Sequence, residues 1–323
     1  MKKFISKIIK FTIFPVLLFI LTDAVINLLS EQKSLSNLID AKVAALPINK
    51  YETNVIIAGD SRAERQIIPE IIKAKTGFNT INIAVSNGEL VSTIETIKKE
   101  YIQSKCIFVI STSSFQINDG AIAAGYLSEK CFQKISIYEK ISLYKNNIVG
   151  FTKMYGRLVN QTFSSFFFKD SYDQKAITNK GYLPVEGTIE KFKSKAEINN
   201  YINRHKYYKN FDNNNIRWRV FENSLTELNN LKSTSFIIQP PLSDYGKKSI
   251  KNSIIEKAES EYSKKLTNLK NNYKNIQFID YYSKNIPALK DEMFYDLYHL
   301  NKNGGVIYSE MIAKLINEKV KNR

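Results

Sequence analysis

The chain has 323 residues, 43% hydrophobic and 24% charged, a balance that supports a full core and excludes an intrinsically disordered polymer. Only 12 glycines and 7 prolines stand against 19 tyrosines and 19 phenylalanines, which excludes collagen-like and linker-like classes, and two cysteines are too few for a disulfide framework. The net charge of +16 at pH 7 favours anionic partners, but the lysines are dispersed among asparagines and no nucleic-acid-binding module is present.

In chain order, Lys2, Lys3, Lys7 and Lys10 form a basic tail over residues 1–10 and leave +12 for the remainder. Residues 11–29, FTIFPVLLFILTDAVINLL, follow. A helix of roughly 20 mostly apolar residues spans a bilayer, and lysines before it favour a cytoplasmic N-terminus. The sequence therefore predicts a single-pass anchor with the body outside the cytoplasm. A cleaved signal peptide, with Thr22-Asp23-Ala24 at the cleavage site, is the alternative. Residues 30–50 read as a stalk helix and linker, because Leu35, Leu38, Ile39, Val43 and Leu46 recur near helical spacing and Pro47 ends the run.

Residues 51–323 then alternate strand and helix patterns. Strands are predicted over 54–58, 80–84, 106–111, 235–239 and 276–280, and helices over 63–75, 89–103, 215–231, 246–273 and 304–321. This order predicts an α/β fold, a doubly wound and mostly parallel five-stranded sheet, which binds ligands beyond the carboxyl ends of its strands. A large insertion, 113–214, separates the third strand from the fourth. It carries the aromatic and basic runs 163–170 and 205–211, and reads either as helices packed at the sheet edge or as a lid over a substrate groove. Cys106 opens a buried strand and is expected to be core rather than bridged to Cys131.

The chemistry-bearing residues are few. Of two histidines, His205 lies in a Tyr/Lys-rich stretch with no carboxylate at motif spacing and reads as surface or packing. His299 follows Asp296 by three residues, on one side of a helical turn or tight loop. A carboxylate there can accept the imidazole Nδ1–H and leave Nε2 as a base. Ser61, just past the first strand in Gly59-Asp60-Ser61, supplies a nucleophile. Gly59 permits a tight turn, Asp60 satisfies backbone donors, and Arg62 reads as solvated, with contact to an anionic substrate as its sharper reading. Two separated histidines and two cysteines form no metal cluster, and the Gly-Asp-Ser turn lacks a phosphate cradle, so neither a metal nor a cofactor is expected.

Gly59-Asp60-Ser61 near the start and Asp296-x-x-His299 before the last helix together resemble the SGNH (GDSL-type) hydrolase superfamily, which includes membrane-anchored envelope acyltransferases and esterases. The resemblance implies a flavodoxin-like three-layer sandwich and a triad of Ser61, His299 and Asp296. It implies oxyanion donors from the Ser61 N–H and from Asn87 or Gly88 in the second block. In the third block the family's Asn is missing, and Ser113, Ser114, Gln116 or Asn118 stands nearby. It also implies an acylated, possibly anionic envelope glycan as substrate, hydrolysed or used in acyl transfer. The other role it leaves open is a non-catalytic partner of a membrane acyltransferase.

Overall fold

The computed structural model describes residues 38–49, 51–86, 88–102, 105–118, 134–144, 179–188, 216–284 and 286–321, with residues 21 and 200. The predicted anchor lies outside these residues except for Leu21, as do Asn87, Cys131, His205 and both aromatic runs of the insertion. Among the described residues no helix is long and apolar enough to cross a membrane.

Five strands build one sheet: β1 (Asn54–Gly59), β2 (Asn79–Asn82), β3 (Cys106–Ser111), β4 (Thr234–Gln239) and β5 (Ile276–Asp280). Their order is β2-β1-β3-β4-β5 and every pairing is parallel. Parallel strands covered on both faces are apolar at every position, and β1, β3 and β4 are buried throughout. Side chains still alternate by face. Ile56, Ala58, Phe108 and Ile110 enter one core, and Val55, Ile57, Ile107 and Val109 the other. The first core is closed by α4 (Leu90–Glu100), α6 (Ile216–Asn230) and α8 (Ile254–Leu269). The second is closed by α2 (Ser61–Gln66), α3 (Pro69–Thr76) and α9 (Lys302–Lys321). From β1 the chain runs to β2 on one side and later to β3 on the other. The crevice beyond β1 and β3 is thus the switch point where such sheets accept ligands.

Two helices predicted as continuous are broken. The segment 63–75 is split into α2 and α3, because Ile68, ahead of Pro69, is held extended at φ −96° and ψ 110°, and Pro69 opens α3. The segment 246–273 is split into α7 (Asp244–Ile250) and α8, with Asn252 in the left-handed region and the Ser253 hydroxyl capping α8. Strand β2 ends at Asn82 rather than at residue 84, since Asn82 Oδ1 turns back to accept the Ala84 N–H. The stalk survives in the described residues as α1 (Leu38–Ala45), whose Ile39, with Leu46 just beyond, joins the α4 core cluster. Cys106 is a free, buried thiol, and burial pushes its pKa up to about 12.

Of the insertion, the described parts are a 3-10 turn (Ser114–Ile117), α5 (Ile137–Tyr144) and residues 179–188. Its two ends meet at Arg217, at the start of α6. Buried Arg217 pairs with buried Glu89, donates through Nη1 to the Asn118 carbonyl at 3.2 Å, and lies 5.2 Å from the Phe115 ring. Removing one partner strands a buried charge, at about 3–5 kcal/mol. Arg217→Met is therefore expected to lower the denaturant midpoint markedly, and adding Glu89→Gln to recover part of the loss. Equal midpoints for wild type and Arg217→Met would refute this account of the insertion's root.

Candidate active site

Strand β1 ends at Gly59, whose φ of +118° lies in the region that favours glycine. A Cβ there would sit 2.2 Å from the Ser111 carbonyl oxygen. The chain then turns through Asp60, which caps α2 by accepting the Arg62 N–H at 3.0 Å. The same carboxylate accepts the Ser111 and Ser113 hydroxyls, each at 3.1 Å. Arg62 corrects the solvated reading. It is buried, with Nε 3.7 Å from Asp60 Oδ2, because the carboxylate that caps the helix also offers its charge a partner. Ser111 escaped the sequence argument, although it pairs with Gly59 in the sheet register, and Ser113, named there only as a third-block neighbour, is bonded to Asp60.

Half-buried Ser61 thus begins α2 at the switch-point crevice. Its Oγ lies 2.9 Å from His299 Nε2, across 238 positions of sequence. His299 Nδ1 lies 3.0 and 2.9 Å from the two oxygens of Asp296. An ionised carboxylate only accepts, so Nδ1 carries the proton; in the neutral ring Nε2 then accepts, and the Ser61 hydroxyl donates to it. The side chains of His299 and Asp296 are 19% and 13% exposed. The imidazole edge is therefore reachable from solvent while the carboxylate lies behind it.

The pair sits in a tight loop, not a helical turn. An antiparallel bridge joins Phe294 to Leu300, and the Tyr295 N–H donates to the His299 carbonyl at 2.7 Å. Fully buried Phe294, Leu297 and Leu300 anchor the loop. Gln66 of α2 donates to the Tyr298 carbonyl at 2.7 Å, tying the serine's helix to the histidine's loop. The Asp296 Oδ1 also accepts the Tyr298 and His299 N–H groups, both at 2.8 Å.

Of the oxyanion donors expected besides the Ser61 N–H, Asn87 lies outside the described residues and Gly88 is engaged elsewhere. Gly88 donates its N–H to the Val85 carbonyl at 2.8 Å, so the glycine serves a turn packed on Gly59, where a Cβ would meet the Gly59 oxygen at 2.1 Å. Gln116 joins the second and third blocks, its Oε1 accepting the Leu90 N–H at 2.9 Å and its Nε2 donating to the Gly88 carbonyl at 3.4 Å. Asn118 offers its carbonyl to Arg217, Ser113 donates to Asp60, and Ser114 is buried. Among the described residues, the Ser61 N–H has no acceptor and points from the first turn of α2. No group of metal-ligating side chains occurs among the described residues.

No protein-family model and no curated protein sequence matches the chain. One solved structure, a Streptococcus pneumonia chain provisionally described as a platelet activating factor, aligns at 10% identity and a TM-score of 0.39, over 85% of this chain and 90% of its own. A likeness that low says nothing about activity.

Burial alone would raise the Asp296 carboxyl, but the hydrogen bond and charge of His299, with the two backbone N–H groups, outweigh it and hold its pKa below 3.8. A carboxyl depressed on folding contributes stability that is present above its unfolded pKa and lost as pH falls through the folded one. The unfolding free energy of wild type is thus expected to exceed that of Asp296→Asn by a constant margin near neutrality. The margin should shrink below about pH 5. Chemical denaturation across that range checks it, and a margin unchanged into strong acid would contradict the assignment.

Proposed function

We propose that this chain is a membrane-anchored serine acyl-ester enzyme of the SGNH type, which removes or transfers O-acyl groups on cell-envelope glycans. The observation that carries the reading is the Ser61 Oγ to His299 Nε2 contact of 2.9 Å, with Asp296 on the opposite ring nitrogen. Its place at the carboxyl edge of the parallel sheet supports the SGNH assignment, as do the two sequence blocks that carry it. The basic tail and apolar stretch support a cytoplasmic N-terminus and an extracytoplasmic body. The positive charge of the body supports an anionic polymer as substrate.

The chemistry follows from the proton positions. Ser61 Oγ attacks the acyl carbonyl carbon while Nε2 of His299 takes its proton, and Asp296 stabilises the imidazolium formed. The carbonyl oxygen gains the negative charge, and the Ser61 N–H at the start of α2 is the donor assigned to it. Collapse expels the alcohol, which His299 protonates, and leaves an acyl ester on Ser61. Water or a sugar hydroxyl, deprotonated by His299, then attacks that ester and regenerates the serine. Exclusion of water decides between hydrolysis and transfer.

A second reading is favoured by the engagement of Gly88 and Gln116 in structural bonds: a non-catalytic domain that assists a membrane acyltransferase. A fluorophosphonate probe separates the two. The enzyme reading expects labelling of wild type and none of Ser61→Ala, whereas an unlabelled wild type supports the assisting role. On a chromogenic acyl ester, His299→Ala is expected to lower kcat by roughly 10^4–10^6-fold while circular dichroism still reports a folded chain. Retained turnover in that variant would remove the triad.

A further inference from the structure

We propose that Lys42 is a positioning residue for Ser61: its ammonium clamps the helix that follows the N-terminal apolar stretch to the nucleophile's helix and to a strap returned by the insertion. The proposal rests on the catalytic reading above and adds to it the part of the chain that sets the serine's position.

Lys42 is fully buried on α1. An ammonium has three donors and no acceptor, and here each donor has a partner. Nζ donates to Glu64 Oε1 at 3.0 Å, to the Gly181 carbonyl at 3.0 Å, and to the Ala84 carbonyl. Glu64 lies on α2, three residues beyond Ser61, and its second oxygen accepts the Ser86 hydroxyl at 2.8 Å. Burial pulls the lysine's pKa below its ordinary value, and the charge and hydrogen bond of Glu64 oppose that pull.

The third partner makes the arrangement more than a buried ion pair. Residues 179–188 cross the carboxyl edge of the sheet and touch both halves of the site. The Lys180 carbonyl accepts the Asn82 N–H at 2.9 Å at the end of edge strand β2, and the Leu183 N–H donates to the Glu64 carbonyl at 3.1 Å. Farther on, the Val185 carbonyl accepts the Lys302 N–H at 3.1 Å and the Gly187 carbonyl accepts Asn301 Nδ2 at 3.0 Å. Asn301 follows His299 by two residues. The strap therefore spans from the serine's helix to the histidine's loop, and Lys42 fastens it where it enters. Gly181, with φ +92°, approaches so closely that a Cβ would lie 1.8 Å from the Asn82 oxygen.

A structural and a positioning role differ in what happens when both charges are removed together. Lys42→Met alone strands Glu64 and is expected to destabilise the protein. Lys42→Met/Glu64→Gln relieves the stranded charge yet leaves the strap unfastened. In the full chain, the double variant is expected to melt near the wild-type temperature. Its rate of fluorophosphonate labelling per folded molecule should fall by roughly 10–100-fold, the effect of a small misplacement at the nucleophile. Deuterium exchange in peptides covering 61–67 and 179–188 should quicken, with that of β3 and β4 unchanged. Labelling of the double variant at the wild-type rate would overturn the proposal, as would unchanged exchange in 179–188. An unlabelled wild type overturns the catalytic reading alone and leaves the exchange result to decide the clamp.

Discussion

The carboxylate of Asp60 is the constraint on which the carboxyl edge of this sheet depends. It is buried, and water cannot satisfy it, so the donors around it must. It draws on the Arg62 N–H of its own turn, the hydroxyls of Ser111 at the end of β3 and of Ser113 just beyond it, and the Arg62 guanidinium. Hydrogen bonds to a charged group contribute about 1.5–3 kcal/mol each. One residue before Ser61, they lock the exit of β1 to the exit of β3. That fixes the switch-point crevice in which Ser61 stands. An apolar residue at position 60 would leave the Ser111 and Ser113 hydroxyls to find other partners in the same buried volume.

What Asp60 does for the turn, the rest of the chain does for the helix that follows it. Helix α2 has six residues, far short of the length at which a helix persists by itself. Its position is a sum of tertiary bonds. Asn82 Nδ2 donates to the Ala63 and Ile67 carbonyls at 2.8 and 3.1 Å, Gln66 reaches the Tyr298 carbonyl, and Glu64 meets Lys42 and Leu183. These partners come from β2, the C-terminal loop, the N-terminal helix and the insertion. Pro69, by ending α2 early, gives up helical continuity, and the serine's orientation is then set by distant segments. Preorganisation at Ser61 is in this sense a property of the whole body.

The architecture was legible because buried parallel strands are written as apolar, mostly β-branched runs, and Val55–Ile57, Ile107–Ile110 and Phe236–Ile238 are such runs. The serine, aspartate and histidine were legible for a different reason: with two histidines in the chain, few pairings exist. Helix breaks were obscured because apolar spacing continues across them, Ile67 and Ile72 packing into the same core on either side of Pro69. The rule for residues before proline would have marked that break, whereas nothing near Asn252 announces its left-handed turn. Lys42 was hidden in a lysine-rich sequence, and its partners lie 22, 42 and 139 positions away. Its one local signal is position: Lys42 lies between Ile39 and Leu46 on the face of α1 that enters the core.

The hydrogen-bonded chain and the described oxyanion donors of this candidate site are unequal. The chain runs unbroken from Ser61 through His299 to the Asp296 carboxylate. Among the described residues, the second and third blocks spend their polar groups on one another, Gly88 on Val85 and Gln116 on Leu90 and Gly88. That leaves the Ser61 N–H. On the catalytic reading proposed above, each well-aimed oxyanion donor is worth about 10^2–10^3 in kcat, so the Ser61 N–H at the start of α2 carries the share of that stabilisation found among the described residues.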